Sequence, residues 1–239
     1  MYPSQVRKTM GLGVLSIGMV VLLSYRTYAQ NQDRLISTEA AVKECIEFSN
    51  VKPGDYRQCN VSEFGALGTV GSQVYSYAIY CLLPQSTADG NCGDDSFSGR
   101  YYRARALAVF VREPSERDLR VLFERASGDI GLFVYEKPEI VKSSAGTLLY
   151  LPIRVDGTGN GNASEYYLLE SEHWQQIESD SWVAEVKKRL PAGLEIGKGI
   201  WPDLQTMQAE AGLYRAGDAN CCPTGGRASI QLAIRSKRF

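Results

Sequence analysis

Cysteine number and placement constrain this chain more than any other feature. Six cysteines occur in 239 residues, and two of them are adjacent. An even number predicts disulfide bonds if the chain reaches an oxidising compartment, and six cysteines allow 15 pairings. Sequence proximity favours two short-range bonds and leaves one adjacent pair: Cys45 with Cys59, Cys81 with Cys92, and Cys221 beside Cys222. The two adjacent cysteines can either bond to each other or each bond to a distant cysteine.

The N-terminal residues predict such a compartment. Arg7 and Lys8 precede a 14-residue apolar stretch, residues 11–24, and small side chains occur at and near Ala29. This is the three-part arrangement of a secretory signal peptide. We therefore expect residues 1–29 to be a signal peptide and the mature protein to be exported, either periplasmic or secreted. An uncleaved signal segment is the alternative, and the protein would meet the membrane only there, since the stretch is shorter than the roughly 20 residues that span a bilayer.

Net charge and histidine content count against a nucleic-acid partner and against a metal site. Residues 1–29 carry three basic and no acidic residues, so residues 30–239 carry 23 Lys and Arg against 27 Asp and Glu. The resulting net charge of −4 predicts no nucleic-acid partner. His173 is the single histidine, and no Cys-x-x-Cys pair occurs. Both facts count against a zinc site, so we expect no metal and no cofactor.

The first half of the mature chain predicts a helix followed by a hairpin and a second helix. Residues 37–49 start with a Ser-Thr cap and place Ala41, Cys45 and Phe48 on one helical face. Residues 73–83 and 101–112 are rich in Val, Tyr and Ala and predict two strands of a hairpin. A capping-box pattern at Ser115 to Asp118 precedes apolar residues at helical spacing, which predicts an amphipathic helix: Leu119, Leu122, Phe123 and Ala126. Residues 129–136 predict a short strand.

The pattern then recurs in the second half. The segment from Tyr150 to Ile153 resembles the one from Tyr80 to Pro84, and a Gly/Asn loop then leads to Tyr166-Tyr167 as an earlier loop leads to Tyr101-Tyr102. A helix is expected from Ser181 to Leu190 and ends at Pro191. We therefore expect two similar strand–loop–strand–helix halves, residues 30–136 and 137–239.

Strict alternation at the end of the chain predicts a final hairpin with one buried face. Apolar residues alternate with polar ones in residues 205–215 and again in residues 227–236. Strands in antiparallel hairpins with single helices favour an α+β fold, mainly antiparallel sheet with a few packing helices.

The loop of this hairpin carries the most specific motif, Gly217-Asp218-Ala219-Asn220-Cys221-Cys222-Pro223-Thr224-Gly225-Gly226. It resembles a stretch ahead of the final strand in the LppP/LprE group of bacterial envelope lipoproteins and related exported proteins of unknown function. The resemblance covers about the last 30 to 40 residues. It implies an envelope or exported protein and supplies no catalytic residue. No lipid-attachment cysteine follows the apolar N-terminal stretch, so membrane tethering does not carry over.

The motif gives the candidate contact surface for a ligand or partner, namely Asp218, Asn220, Cys221, Cys222 and Pro223. A bonded Cys221–Cys222 pair would present a rigid sulfur platform, whereas long-range bonds would make the loop a staple that holds the hairpin to the body. Redox work is a third possibility, although the helix-borne Cys-x-x-Cys of thiol oxidoreductases is missing. Tyrosines on the predicted strands offer either an aromatic binding face or cross-strand packing.

These observations predict a non-enzymatic binding or structural module of the cell envelope, with no catalytic residue assigned. Its partner would be an unknown envelope protein or a small ligand. The alternative is a periplasmic thiol–disulfide or hydrolytic enzyme that uses Cys221 and Cys222 or His173.

Overall fold

The structure is a computed structural model that describes residues 36–51, 56–84, 104–116, 119–126, 133–155, 162–235 and 237–239. These residues belong to one compact unit, Ile36–Phe239. The predicted signal peptide, Cys92 with its predicted bond to Cys81, and the tyrosines at 101 and 102 lie outside the described residues. Neither helix in the described ranges is long and apolar enough to cross a bilayer.

The first sheet is a four-stranded antiparallel meander in the order β1-β2-β3-β4. Its strands are β1 (Tyr56–Val70), β2 (Gln73–Pro84), β3 (Ala104–Arg112) and β4 (Arg120–Ala126). The predicted hairpin of residues 73–83 and 101–112 is confirmed as β2 and β3, which pair from Val74↔Arg112 to Leu82↔Ala104. Helix α1 (Thr38–Val51) precedes this sheet.

The second sheet is also a four-stranded antiparallel meander, in the order β6-β7-β9-β10. Its strands are β6 (Glu139–Ser143), β7 (Gly146–Leu151), β9 (Glu165–Glu170) and β10 (His173–Ile177). Two short strands, β5 (Phe133–Tyr135) and β8 (Ile153–Val155), pair with each other beside it. Helix α2 (Ser181–Lys187) follows, which confirms the predicted helix over its first two turns.

The two sheets pack face to face around an aromatic and aliphatic core. One cluster of buried residues joins Tyr77 and Val109 of the first sheet to Leu149 and Tyr167 of the second. Burial of one such side chain stabilises the fold by roughly 1.5–3 kcal/mol. The tyrosines therefore serve cross-strand and inter-sheet packing, since Tyr75, Tyr77, Tyr166 and Tyr167 are all at most 3% exposed.

Helix α1 covers the outer face of the first sheet. Its predicted apolar face is confirmed, because Ala41, Cys45 and Phe48 are buried against the alanine-rich side of β2 and β3. Ser37 caps the helix by accepting a hydrogen bond from the N–H of Ala40 at 3.2 Å. The predicted disulfide between Cys45 and Cys59 is present and links α1 to β1.

Helix α2 and the C-terminal segment cover the outer face of the second sheet. The C-terminal segment contains the short strands β11 (Leu194–Glu195), β12 (Gln208–Gly212), β13 (Tyr214–Arg215) and β14 (Arg227–Gln231). Leu148 and Tyr166 of the sheet share a core with Trp182 of α2 and with Met207 and Ile230 of the hairpin. Over the described residues the fold is therefore mainly antiparallel β-sheet with two helices, in agreement with the predicted α+β class.

The amphipathic helix predicted after Ser115 is wrong, because residues 120–126 form strand β4. The pairs Val109↔Phe123 and Phe110↔Val121 leave Leu122 as an extra residue in a β-bulge. The bulge sends Val121 to the core beneath α1 and Leu122 with Phe123 to the inter-sheet core. Because β4 contains a bulge and has apolar residues on both faces, its apolar residues are spaced as they would be in a helix.

Candidate functional site

Strands β12 and β14 position the Cys-Cys loop at the end of a two-stranded antiparallel hairpin. The register runs from Gln208↔Gln231 to Gly212↔Arg227. The predicted alternation is confirmed, since Met207, Ala209 and Ala211 are buried on one strand and Ile230 and Leu232 on or just beyond the other. The loop lies between Gly212 and Arg227, and its base is tied to the body through the pairing of β13 with β11.

The two adjacent cysteines are bonded to each other. The Cys221–Cys222 bond joins neighbouring residues, so the loop is not stapled to a distant cysteine. Both cysteines and the following Pro223 are exposed. The side chains at the tip of the loop therefore form a small surface of sulfur and proline carbon.

Asp218 organises the loop from within. Its Oδ2 accepts hydrogen bonds from the N–H groups of Arg215 and Thr224, each at 2.8 Å. Its Oδ1 accepts a third from the Thr224 hydroxyl at 2.8 Å. These donors, led by the Arg215 N–H, hold the pKa of Asp218 below its usual range. The carboxylate is thus engaged inside the loop and works as an internal brace.

Tyr214 and Gly225 fix the two sides of the loop. The buried Tyr214 donates its hydroxyl to the carbonyl of Asn220 at 2.9 Å. Gly225 donates its N–H to the carbonyl of Leu213 at 2.7 Å. A Cβ at Gly225 would lie 2.6 Å from that carbonyl oxygen and 2.7 Å from Leu194 Cδ2, so only glycine fits. Pro223 in turn packs on Gly212, where a Cβ would lie 2.7 Å from its ring.

The structure therefore separates the five predicted contact residues into two groups. Asp218 and the Asn220 carbonyl make hydrogen bonds within the loop. Cys221, Cys222, Pro223 and the Asn220 side chain face solvent. The exposed group offers apolar and polarisable contact area together with one amide, and the hydrogen bonds within the loop restrain its backbone.

His173 is the second candidate residue of the alternative enzyme function. It is exposed at the start of β10, an edge strand of the second sheet. Within the described ranges, no hydroxyl, thiol or carboxylate is hydrogen-bonded to its ring. The described residues also contain no group of three or more His, Cys, Asp or Glu side chains that could hold a metal ion.

A groove of about 450 Å³ lies between α2 and β14, and the sequence did not predict it. One wall consists of Trp182 and Val186 of α2 together with Arg189 from the turn after the helix, and the other is the outer edge of β14. Phe239 also lines the groove, and its ring packs edge-on against Tyr166 with centroids 5.1 Å apart. The alternating pattern identifies β14 as a strand, but a local pattern carries no information on whether a third strand pairs with it.

No protein-family model, curated protein or solved structure matches the chain, so no activity is carried over from a relative.

Proposed function

We propose that this chain is an exported, disulfide-stabilised binding module of the cell envelope, and that it contacts a partner protein or small ligand through its Cys-Cys loop. The observation that carries the proposal is the exposed Cys221–Cys222 bond on a loop with internal hydrogen bonds. A surface held in its bound conformation loses little conformational entropy on association, which favours affinity. The N-terminal signal pattern and the Cys45–Cys59 bond support export into an oxidising compartment.

The hydrogen bonds that engage Asp218 inside the loop favour binding over catalysis. Asp218 is the carboxylate nearest in sequence to the disulfide, and its oxygens already accept three hydrogen bonds. Such a carboxylate is poorly placed to act as a general base toward a substrate. The loop thus has the features of a preformed contact surface.

Site-specific photo-cross-linking tests this proposal on the full chain in cells. A benzophenone amino acid at Pro223 should give a discrete adduct, and the adduct should be lost when Asp218→Asn removes the internal brace. The same probe at the exposed Lys142 of β6 is the matched control, since that residue lies in the second sheet away from the loop. Equal adducts at both positions, or none at Pro223, would show that the loop is not the contact surface.

Export itself is tested by fusing residues 1–35 to a phosphatase that is active only outside the cytoplasm. We expect activity with the natural segment and loss of activity when the apolar stretch is interrupted by two charged residues. Activity that survives the interruption would argue against the signal peptide.

The exposure of both cysteines also supports thiol–disulfide exchange as a second candidate. A substrate dithiol would transfer two electrons and two protons to the Cys221–Cys222 bond, leaving a substrate disulfide and two protein thiols. Stoichiometric oxidation of a peptide dithiol, abolished by Cys222→Ser, would favour this function. An unreacted dithiol in the presence of the intact protein would leave the binding module as the better explanation.

We further propose that the two meanders are similar halves of the chain. The order β1-β2-β3-β4 corresponds to β6-β7-β9-β10, and the tyrosine motifs lie at equivalent places, near the ends of β2 and β7. The helices differ, since α1 precedes its meander and α2 follows its own. Superposition of the two meanders in an experimental structure tests the proposal, which fails if the strands do not align in this order.

A further inference from the structure

On the outer edge of β14, backbone hydrogen-bonding groups that face the groove beside α2 have no backbone partner among the described residues. The N–H of Leu232 donates to Met207 at 2.8 Å, and the N–H of Leu213 donates to Gly226 at 2.9 Å. In an antiparallel pair, residues alternate between bonding to the partner strand and pointing away from it. The backbone N–H and C=O groups of the even-numbered residues of β14 therefore point toward β12, while those of Ser229 and Gln231 point outward. Among the described residues, β14 pairs with β12 alone.

Side chains leave that edge accessible. The Gln231 side chain folds back across β12 and donates to the carbonyl of Met207 at 3.0 Å. Ser229 is small and exposed, and both residues line the groove. The five residues of β14 span roughly 16 Å in extended conformation, enough to pair with a segment of four or five residues.

The opposite wall specifies the side chains that fit. Trp182 and Val186 offer an apolar surface on which every second side chain of an extended segment would rest. Two charged residues line the groove on this side, Glu185 of α2 and Arg189 of the turn after it. Glu185 forms an ion pair with Lys188 at 2.7 Å and is also attracted electrostatically to Arg189. Two cations, Lys188 and Arg189, thus share one carboxylate, so the net charge of these three side chains is positive.

We propose that this groove binds an extended peptide segment of another protein by strand addition to β14, with apolar residues at alternate positions and an acidic side chain opposite Arg189. The backbone groups of Ser229 and Gln231 supply the hydrogen bonds, and the α2 wall supplies the selectivity. This site is separate from the Cys-Cys loop, and it does not depend on the function proposed for that loop.

Capped octapeptides with alternating valine and threonine test the proposal, with a central residue that is either glutamate or lysine. We expect the acidic peptide to bind the full chain at least about tenfold more tightly than its basic twin. We also expect slower hydrogen exchange at the amides of Ser229 and Gln231 in the complex. Failure of every peptide to bind at millimolar concentration, or equal binding of the twins, overturns the proposal.

Proline substitution separates the two edges of the hairpin. Ser229→Pro removes an outward N–H without breaking a bond to β12, so it should reduce peptide affinity at least about tenfold. Glu210→Pro is the matched control, because Glu210 pairs with Ser229 in register and its N–H points to the far edge of β12. Equal affinity of the two variants, with both still folded, contradicts strand addition.

Charge reversal gives a readout that does not depend on the proline variants. Arg189→Glu should invert the preference so that the lysine peptide binds more tightly, whereas Lys187→Glu, in the last turn of α2 and outside the groove, should not. An unchanged preference in Arg189→Glu overturns the proposal. The competing occupant of the groove is a second copy of this chain, and sedimentation of the protein alone tests for it. A dimer that dissociates in the Ser229→Pro variant would show that a second copy, and not a peptide of another protein, occupies the groove.

Discussion

Arg125 of β4 and Glu165 of β9 connect the two sheets by an ion pair. The Nε of Arg125 donates to Oε1 and Oε2 of Glu165 at 3.2 and 3.0 Å, and its Nη2 donates to the hydroxyl of Tyr167 at 2.6 Å. Phe123 lies against the Tyr167 ring, with centroids 4.4 Å apart. A polar bridge thus forms at one edge of a packed aromatic core.

Removing the charge of Glu165 should destabilise the protein. Glu165→Gln leaves the Arg125 guanidinium, 35% exposed, without its counter-charge, and we expect the free energy of unfolding to fall by about 1–2 kcal/mol. Urea unfolding followed by tryptophan fluorescence measures the change. Glu210→Gln is the control, because its pair with Arg227 is 68–81% exposed and should contribute less than about 0.5 kcal/mol. Equal losses in the two variants would remove any special role for the Arg125–Glu165 pair.

The loop should show an acid transition of its own that depends on Asp218. A carboxylate whose folded pKa lies below the unfolded value of about 3.9 stabilises the fold above that value and loses its contribution as pH falls through the folded pKa. The amide resonances of Arg215 and Thr224 should therefore stay constant from pH 7 to about pH 4 and shift below it. Two-dimensional NMR measures the titration, and Asp218→Asn should abolish it. A midpoint at or above 3.9 for these amides would contradict the hydrogen bonding described.

Local patterns predicted those elements whose residues alternate or repeat without interruption. Helix α1, with Ala41, Cys45 and Phe48 on one face, follows directly from a 3.6-residue period. The β12–β14 hairpin follows equally well, because alternation fixes which side of each strand is buried, and the observed register places Ala209 opposite Ile230 on that side.

Bulges explain the elements that the sequence did not reveal. Strand β1 contains three register shifts against β2, so its apolar residues do not alternate over any long stretch. Its residues Gly65 and Gly68 are also typical of turns more than of strands. The bulge at Leu122 likewise gave the apolar residues of strand β4 a spacing that predicts a helix. Such shifts are set by packing between the sheets and cannot be derived from residues that are neighbours in sequence.

The candidate site was predicted in part. The motif identified the loop, but it did not predict whether Cys221 and Cys222 bond to each other or to distant cysteines. Disulfide pairing depends on which sulfurs the fold brings together. The groove beside α2 depends on long-range placement of Trp182 and Ile230, and no local pattern reports that placement.

Gly225 should tolerate no side chain. Gly225→Ala places a Cβ against the Leu213 carbonyl and Leu194 Cδ2, so the loop must shift, and we expect a loss of about 1–3 kcal/mol in unfolding free energy. Gly65→Ala in β1 is a suitable comparison, since its Cβ would only touch the Tyr77 ring at 3.4 Å. Thermal unfolding of the two variants measures the difference. If Gly65→Ala proved as costly as Gly225→Ala, the close approach at the loop would not be the cause.

The two described disulfides should contribute very differently to stability. Non-reducing peptide mapping should recover Cys45–Cys59 and Cys221–Cys222 as separate bonded pairs. The first bond has a sequence separation of 14 residues, and in the chain-entropy model its removal by paired serine substitution costs about 3 kcal/mol. The second joins adjacent residues and closes almost no chain, so the matched Cys221→Ser/Cys222→Ser variant should lose less than about 1 kcal/mol. Urea unfolding of both double variants makes the comparison, and a larger loss in the loop variant would mean that the Cys221–Cys222 bond stabilises the body of the protein and not only the conformation of its own loop.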